Sequence, residues 1–162
     1  MAAGFTDKGI THWQTVSISP PKDQNAGTAT TEWVNMAKAI RARIIIHTGA
    51  WAAGTAAVTL NEAKTAAGGS SQALEFDWMY TNDGAATSPV KTKTAVTSDT
   101  FNIDTANSIY EIEIHRDEMT ELFNYLNIAV ASPGANADLY GIQMHLEVTM
   151  PGAPAKQENT VV

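Results

Sequence analysis

Two stretches of the chain set carboxylates beside imidazoles at a spacing of two residues. "YEIEIH", residues 110–115, carries Glu111, Glu113 and His115, and "YGIQMHLEVTM", residues 140–150, carries Gln143, His145 and Glu147. In extended backbone, alternate side chains point to the same side. Each stretch therefore reads as a strand with one polar and one apolar row; the second apolar row is Tyr140, Ile142, Met144, Leu146, Val148 and Met150. If the two strands pair, imidazole nitrogens and carboxylate oxygens converge, which is the donor set of zinc or another divalent ion. The same residue types also suit acid–base work, the solvated face of an antiparallel sheet, or a contact buried between protomers. Spacing alone leaves these readings open. Glycoside hydrolysis fits less well, because Glu111 and Glu113 sit side by side on one strand, whereas such enzymes set two carboxyls across a cleft.

The elements that must position these rows are strands. Ala42–His47 contains the β-branched run Ile44-Ile45-Ile46 and stops at the turn signal Thr48-Gly49. Val58, Leu60 and Glu62 alternate against Thr59 and Asn61 in "TAAVTLNEAK". "ALEFDWMY" reads as a central strand with Leu74, Phe76, Trp78 and Tyr80 on its core side, closed by the tight turn Asn82-Asp83-Gly84. A Thr-rich strand "VKTKTAVTSDTFNI" follows, then "IYEIEIH", the charged turn "RDEMTE", "LFNYLNIAVA" and the closing strand. The segment 32–41 is ambiguous between a helical turn and a strand. About eight strands with turn chemistry between them, and no long helical period, predict an all-β chain: a jelly-roll-like antiparallel β-sandwich. Residues 1–31 read as an extended N-terminal arm, since "SPPKDQNAGTATT" is too polar and too rich in Pro and Gly to pack a core. Just before it, "ITHWQTVSI" alternates weakly and is a candidate edge strand docking on a neighbour. The body is expected at 32–150, and 151–162 as a mobile tail.

Composition narrows the partners. The chain has 162 residues, enough for one core, and a formal net charge of −7 with its ten basic residues scattered singly. That balance argues against nucleic acid, whose phosphates need clustered Lys and Arg. Cysteine is absent, so neither a disulfide framework nor a thiolate metal site exists. No apolar run reaches the roughly 20 residues of a membrane span, and "MAAGFTDKGITHW" lacks an apolar signal core; no membrane partner is expected, and the cytoplasm is the expected place of synthesis. The sequence holds no phosphate-binding glycine loop, zinc helix, calcium loop or Gly-x-Ser-x-Gly elbow. The expectation is therefore no enzyme, no catalytic residue, no cofactor and no resident metal. Of the four tryptophans, Trp78 is expected in the core, while Trp13 and Trp51 are candidates for a subunit contact or a sugar-stacking platform. His12, beside Trp13, is a further candidate contact residue; His47 reads as a turn or interface residue.

From Trp33 to Met150 the chain resembles small structural proteins of tailed-bacteriophage virions. The resemblance rests on "TEWVNMAKAIRARIIIHTGAW", "VTLNEAKTAAGGSSQALEF", "TKTAVTSDTFNID" and "YEIEIHRDEMT", and on "FNYLNIAVASPGANADLYGIQMHLE" near the C-terminus. It implies a capsid decoration (cement) protein on the outer surface of the virion, assembled in the host cytoplasm, with the major capsid protein and its own copies in a homotrimer as partners. A tail-tube, tail-completion or head–tail joining protein is the alternative within the virion, and a carbohydrate-binding β-sandwich module the alternative outside it. The candidate protein-interface residues are His12, Trp13, Trp51, Glu111, Glu113, His115, Gln143, His145 and Glu147.

Overall fold

The computed structural model describes residues 13–23, 29–83, 90–134 and 138–148. Among them twelve strands form: β1 (Trp13–Asp23), β2 (Ala29–Thr30), β3 (Val34–Asn35), β4 (Ala39–Trp51), β5 (Ala56–Ala63), β6 (Gln72–Ala73), β7 (Trp78–Asn82), β8 (Thr92–Ala95), β9 (Thr100–Ile103), β10 (Ile109–His115), β11 (Tyr125–Val130) and β12 (Asp138–Val148). A 3-10 turn, Arg116–Glu118, follows β10.

All pairings are antiparallel and build two sheets. The first runs β1-β12-β4-β10-β7-β8. In the second, β2 and β3 are two pieces of one broken strand along β11, which pairs with β5; β6 and β9 share the far side of β5. With β6, β7 and β8 set aside as an insertion, the first sheet reads first-eighth-third-sixth and the second reads second-seventh-fourth-fifth. That order is the jelly roll. The insertion then extends the first sheet by a hairpin, β7–β8.

The apolar rows fill the space between the sheets. Ala42, Ile44 and Ile46 of β4, Ile112 and Ile114 of β10, and Tyr140, Ile142, Met144 and Leu146 of β12 are all buried against Val58 and Leu60 of β5 and Leu126 and Ile128 of β11. The expected closing-strand row is thus the core row from Tyr140 to Leu146; Met150 lies outside the described residues. Burial of its ring pushes the Tyr140 hydroxyl up to about 12. Glu62 and Thr48 enter the interior with partners. The Glu62 carboxylate, 1% exposed, accepts the Thr120 backbone N–H at 2.8 Å and the Gln72 side-chain amide at 2.7 Å. Thr48 Oγ1 accepts the Ser108 N–H at 2.9 Å and donates to the Thr105 carbonyl at 2.7 Å, tying β4 to the turn before β10. Gly54 has φ +96°, and a Cβ there would collide with the carbonyl of Pro133, so only glycine lets these two loops meet.

Three expectations change. The arm expected over 1–31 is in part body: Trp13–Asp23 pairs along β12 as the first strand of the jelly roll, and Thr31 is buried. Pro20-Pro21 is accommodated because β1 is an edge strand with register shifts at Ser17/Ser19 and Ser19/Lys22, where ladder donors are dispensable. Residues 1–12 and 151–162 lie outside the described residues. The Thr-rich stretch forms two strands in different sheets, β8 and β9. "ALEFDWMY" is not one central strand either. Leu74 and Phe76 are buried, but Trp78 is 46% exposed and Tyr80 37%, because in β7 these two face outward beside Glu111 while Met79, between them, packs on the core.

Candidate functional site

The outward side of the first sheet is where the charged and aromatic side chains gather. Register fixes its rows. Trp13 stands opposite Glu147, Glu147 opposite Arg41, and Arg41 opposite His115. One step along, Thr15, His145, Arg43 and Glu113 line up, and the next row runs Gln143, Ile45, Glu111, Tyr80 and Lys93. β4 lies between β10 and β12, so the two histidine-bearing strands are not neighbours. The convergence of imidazoles and carboxylates that pairing would have produced does not form; arginines stand in between.

Those arginines close the carboxylates into ion pairs. Arg41 donates through Nη1 to Glu113 at 2.8 Å and through Nε to Glu147. These two carboxylates hold its guanidinium pKa above the ordinary arginine value. The Trp13 ring lies over the same guanidinium, 5.2 Å from its centroid. Arg43 donates Nε to Glu111 at 2.9 Å and also pairs through Nη2, while Lys91 reaches the other oxygen of the same carboxylate. Burial alone pushes Glu111 up, but the bonds from Lys91 and Arg43 outweigh it and hold the carboxyl below its ordinary range. His115 Nε2 sits 3.2 Å from Glu113, and His145 Nδ1 3.0 Å from the Thr15 hydroxyl. On the hairpin, Lys93 Nζ lies 3.8 Å above the Trp78 ring and 6.0 Å from that of Tyr80. Between Trp13 at one end and Tyr80 at the other runs a shallow groove of about 370 Å³, floored by Arg41, Arg43, Glu111 and Glu113 and edged by Lys91.

Of the residues singled out from sequence, Trp13, Glu111, Glu113, His115, Gln143, His145 and Glu147 share this face. Trp51 does not belong with them. It closes the far end of β4, opposite Asp138 and some 30 Å along the strand from Arg41, packs on the core and donates its indole N–H to the Gly54 carbonyl at 3.0 Å. Trp13 and Trp51 therefore form no common platform. His47 is exposed within β4 rather than ending it, and His12 lies outside the described residues. Sequence reasoning passed over Arg41, Arg43, Tyr80, Lys91 and Lys93. The signal for the arginines was present: in "RARI" they alternate with Ala42 and Ile44, so they had to share the outward row. Among the described residues no three His, Asp or Glu side chains are grouped as a metal would require.

The outward side of the second sheet differs in kind. Among the described residues its strand positions are Ala57, Thr59, Asn61 and Ala63 of β5, Tyr125, Asn127 and Ala129 of β11, Thr100 and Asn102 of β9, Ala73 of β6, Asn35 of β3 and Thr30 of β2. None of these is charged. Ala63 and Asn127 are covered, the Asn127 amide donating to the Thr31 carbonyl.

No family model matches the chain, and no curated protein does. Among solved structures there is weak similarity to chains from the structures of infectious bursal disease virus. For the Gx strain, 9% of residues are identical over 84% of this chain and 40% of the other, with a TM-score of 0.22. For the Gt strain the values are 11%, 92%, 43% and 0.22. The chain thus spans about two fifths of the length of these structures. At that TM-score the similarity carries no weight for fold or function.

Proposed function

We propose that this chain is a non-enzymatic structural protein of a phage particle, a cement protein that lies on the outer capsid surface and binds the shell through the outward side of its second sheet. The observation that carries the reading is the missing charge on that side. The chain has a formal charge of −7, yet its Ala, Thr and Asn strand face bears none among the described residues. Contact cores are depleted in charge, small side chains let a partner backbone approach, and an uncharged patch is where an acidic protein meets another surface without repulsion. The jelly roll suits the role, since capsid proteins use it, although lectins and cupins use it as well.

The face first suspected of partner contact is the less suitable one. Covering it with protein would desolvate Arg41, Arg43, Glu111, Glu113 and Glu147 together, a cost that ion pairing offsets only partly. Adding the purified protein to matching undecorated capsids tests the proposal. Saturable binding with a raised disruption temperature is expected, and light scattering of the free protein should report the trimer. Absence of capsid binding at every salt concentration rejects the reading; rings or tubes in electron micrographs of the isolated protein would instead make it a tail component.

A further inference from the structure

We propose that the groove on the outward side of the first sheet binds a neutral oligosaccharide, laid across the strands from Trp13 to Tyr80. The volume, about 370 Å³, falls within the range of small-molecule sites. Its length follows from sheet geometry. Trp13 is on β1 and Tyr80 on β7, four strand spacings apart in the order β1-β12-β4-β10-β7 and four residues apart along the strands, a diagonal of roughly 23 Å between their backbones. That span takes a short chain of sugar rings rather than a single one.

The chemistry of the walls matches a sugar ring. A pyranose has a C–H face that packs on aromatic surface and a rim of hydroxyls that both donate and accept. Trp13 and Tyr80 supply aromatic surface at the two ends, with indole and phenol groups that stay wet. The floor supplies planar groups for vicinal hydroxyls, already fixed by their mutual ion pairs. Among the described residues those pairs commit Nε and Nη1 of Arg41 and Nε and Nη2 of Arg43. Arg41 Nη2, Arg43 Nη1 and Glu113 Oε2 remain for a ligand. A side chain held in place before binding loses little entropy when the ligand arrives.

Charge selects the class of saccharide. Each groove cation is already committed, Arg41 to Glu113 and to Glu147 just outside the lining, and Arg43 and Lys91 to Glu111. Lys93 stands outside the lining over the Trp78 ring, so the groove itself offers an acidic glycan no unpaired cation. The inference does not depend on the shell assignment, because it uses the opposite face.

The test is a neutral glycan array probed with the full chain, followed by titration calorimetry on the best hit. Tyr80→Ala and Trp13→Ala should each weaken binding about tenfold or more, the scale of one lost aromatic contact. Trp78→Ala, exposed on the same face but outside the groove lining, should keep wild-type affinity; circular dichroism of all three checks the fold. No neutral glycan bound, binding unchanged in both groove variants, or binding confined to sulfated or sialylated glycans and abolished by salt would each overturn the proposal. Failure on the array with capsid binding intact rejects the groove alone.

Discussion

The two outward faces of this sandwich rest on one core and are built in opposite ways. The first sheet carries arginines, glutamates and histidines in register, rimmed by Trp13, Tyr80 and Trp78; the second carries alanine, threonine and asparagine. Both satisfy the requirement that polar residues alternate with a core row. They differ in what they ask of a partner. A small, uncharged surface is inexpensive to desolvate and reads shape, whereas a closed ion-pair ladder resists being covered and offers oriented hydrogen bonds to a ligand that stays partly in water. On the proposed reading, the contrast gives assembly to one face and recognition to the other.

The largest effect expected is on the core that both faces share. Leu146→Asp places an unpaired carboxylate at a position 1% exposed and should cost about 4 kcal/mol or more, enough to unfold the domain. Both functions would then be lost together, with loss of protease resistance as the readout. Next comes Glu62, on the second sheet but turned inward. Glu62→Ala leaves the Thr120 N–H without its acceptor and should cost about 1–3 kcal/mol in denaturant unfolding, without touching either outward face.

The smallest effect separates the faces by pH. Arg43→Met removes one of the two cations on Glu111 and should cost less than about 1 kcal/mol at neutral pH, as partly exposed pairs do. The sign follows from the depressed carboxyl. A group whose folded pKa lies below its unfolded value contributes stability above the unfolded pKa, and that contribution disappears as pH falls through the folded one. The gap between wild type and Arg43→Met should therefore be widest near neutrality and close in acid. A gap that persists in acid would mean that Arg43 acts by packing its stem rather than by pairing Glu111.

Much of the fold was legible because strand periodicity is local. The polar rows of Glu111-Glu113-His115 and Gln143-His145-Glu147 and the core row of β12 follow directly from alternation. Whatever depended on neighbours was not. Nothing local places β4 between β10 and β12, so the apparent metal donors dissolved into two separate ion-pair sets once Arg41 and Arg43 came between them. Trp78 looked like core because its strand alternates well, but alternation does not say which row turns inward, and in β7 it is Met79 that packs on the core while Trp78 and Tyr80 face outward. Pro20-Pro21 and the small polar residues after them suggested an arm because such a stretch cannot pack a core alone; β1 is an edge strand, where proline is tolerated and only one neighbour, β12, is needed.

The division of labour between the faces is tested most directly by one pair of lysine substitutions, Thr59→Lys on the second sheet and Gln143→Lys on the first, compared for binding to undecorated capsids by co-sedimentation. Gln143 is exposed, so its variant should keep stability within about 0.5 kcal/mol of wild type. Thr59 is half-buried and shares a 3.1 Å hydrogen bond with Thr100, so its variant should lose about 1 kcal/mol and still fold. The account predicts that Thr59→Lys abolishes capsid binding and Gln143→Lys leaves it intact; the reverse pattern would contradict it.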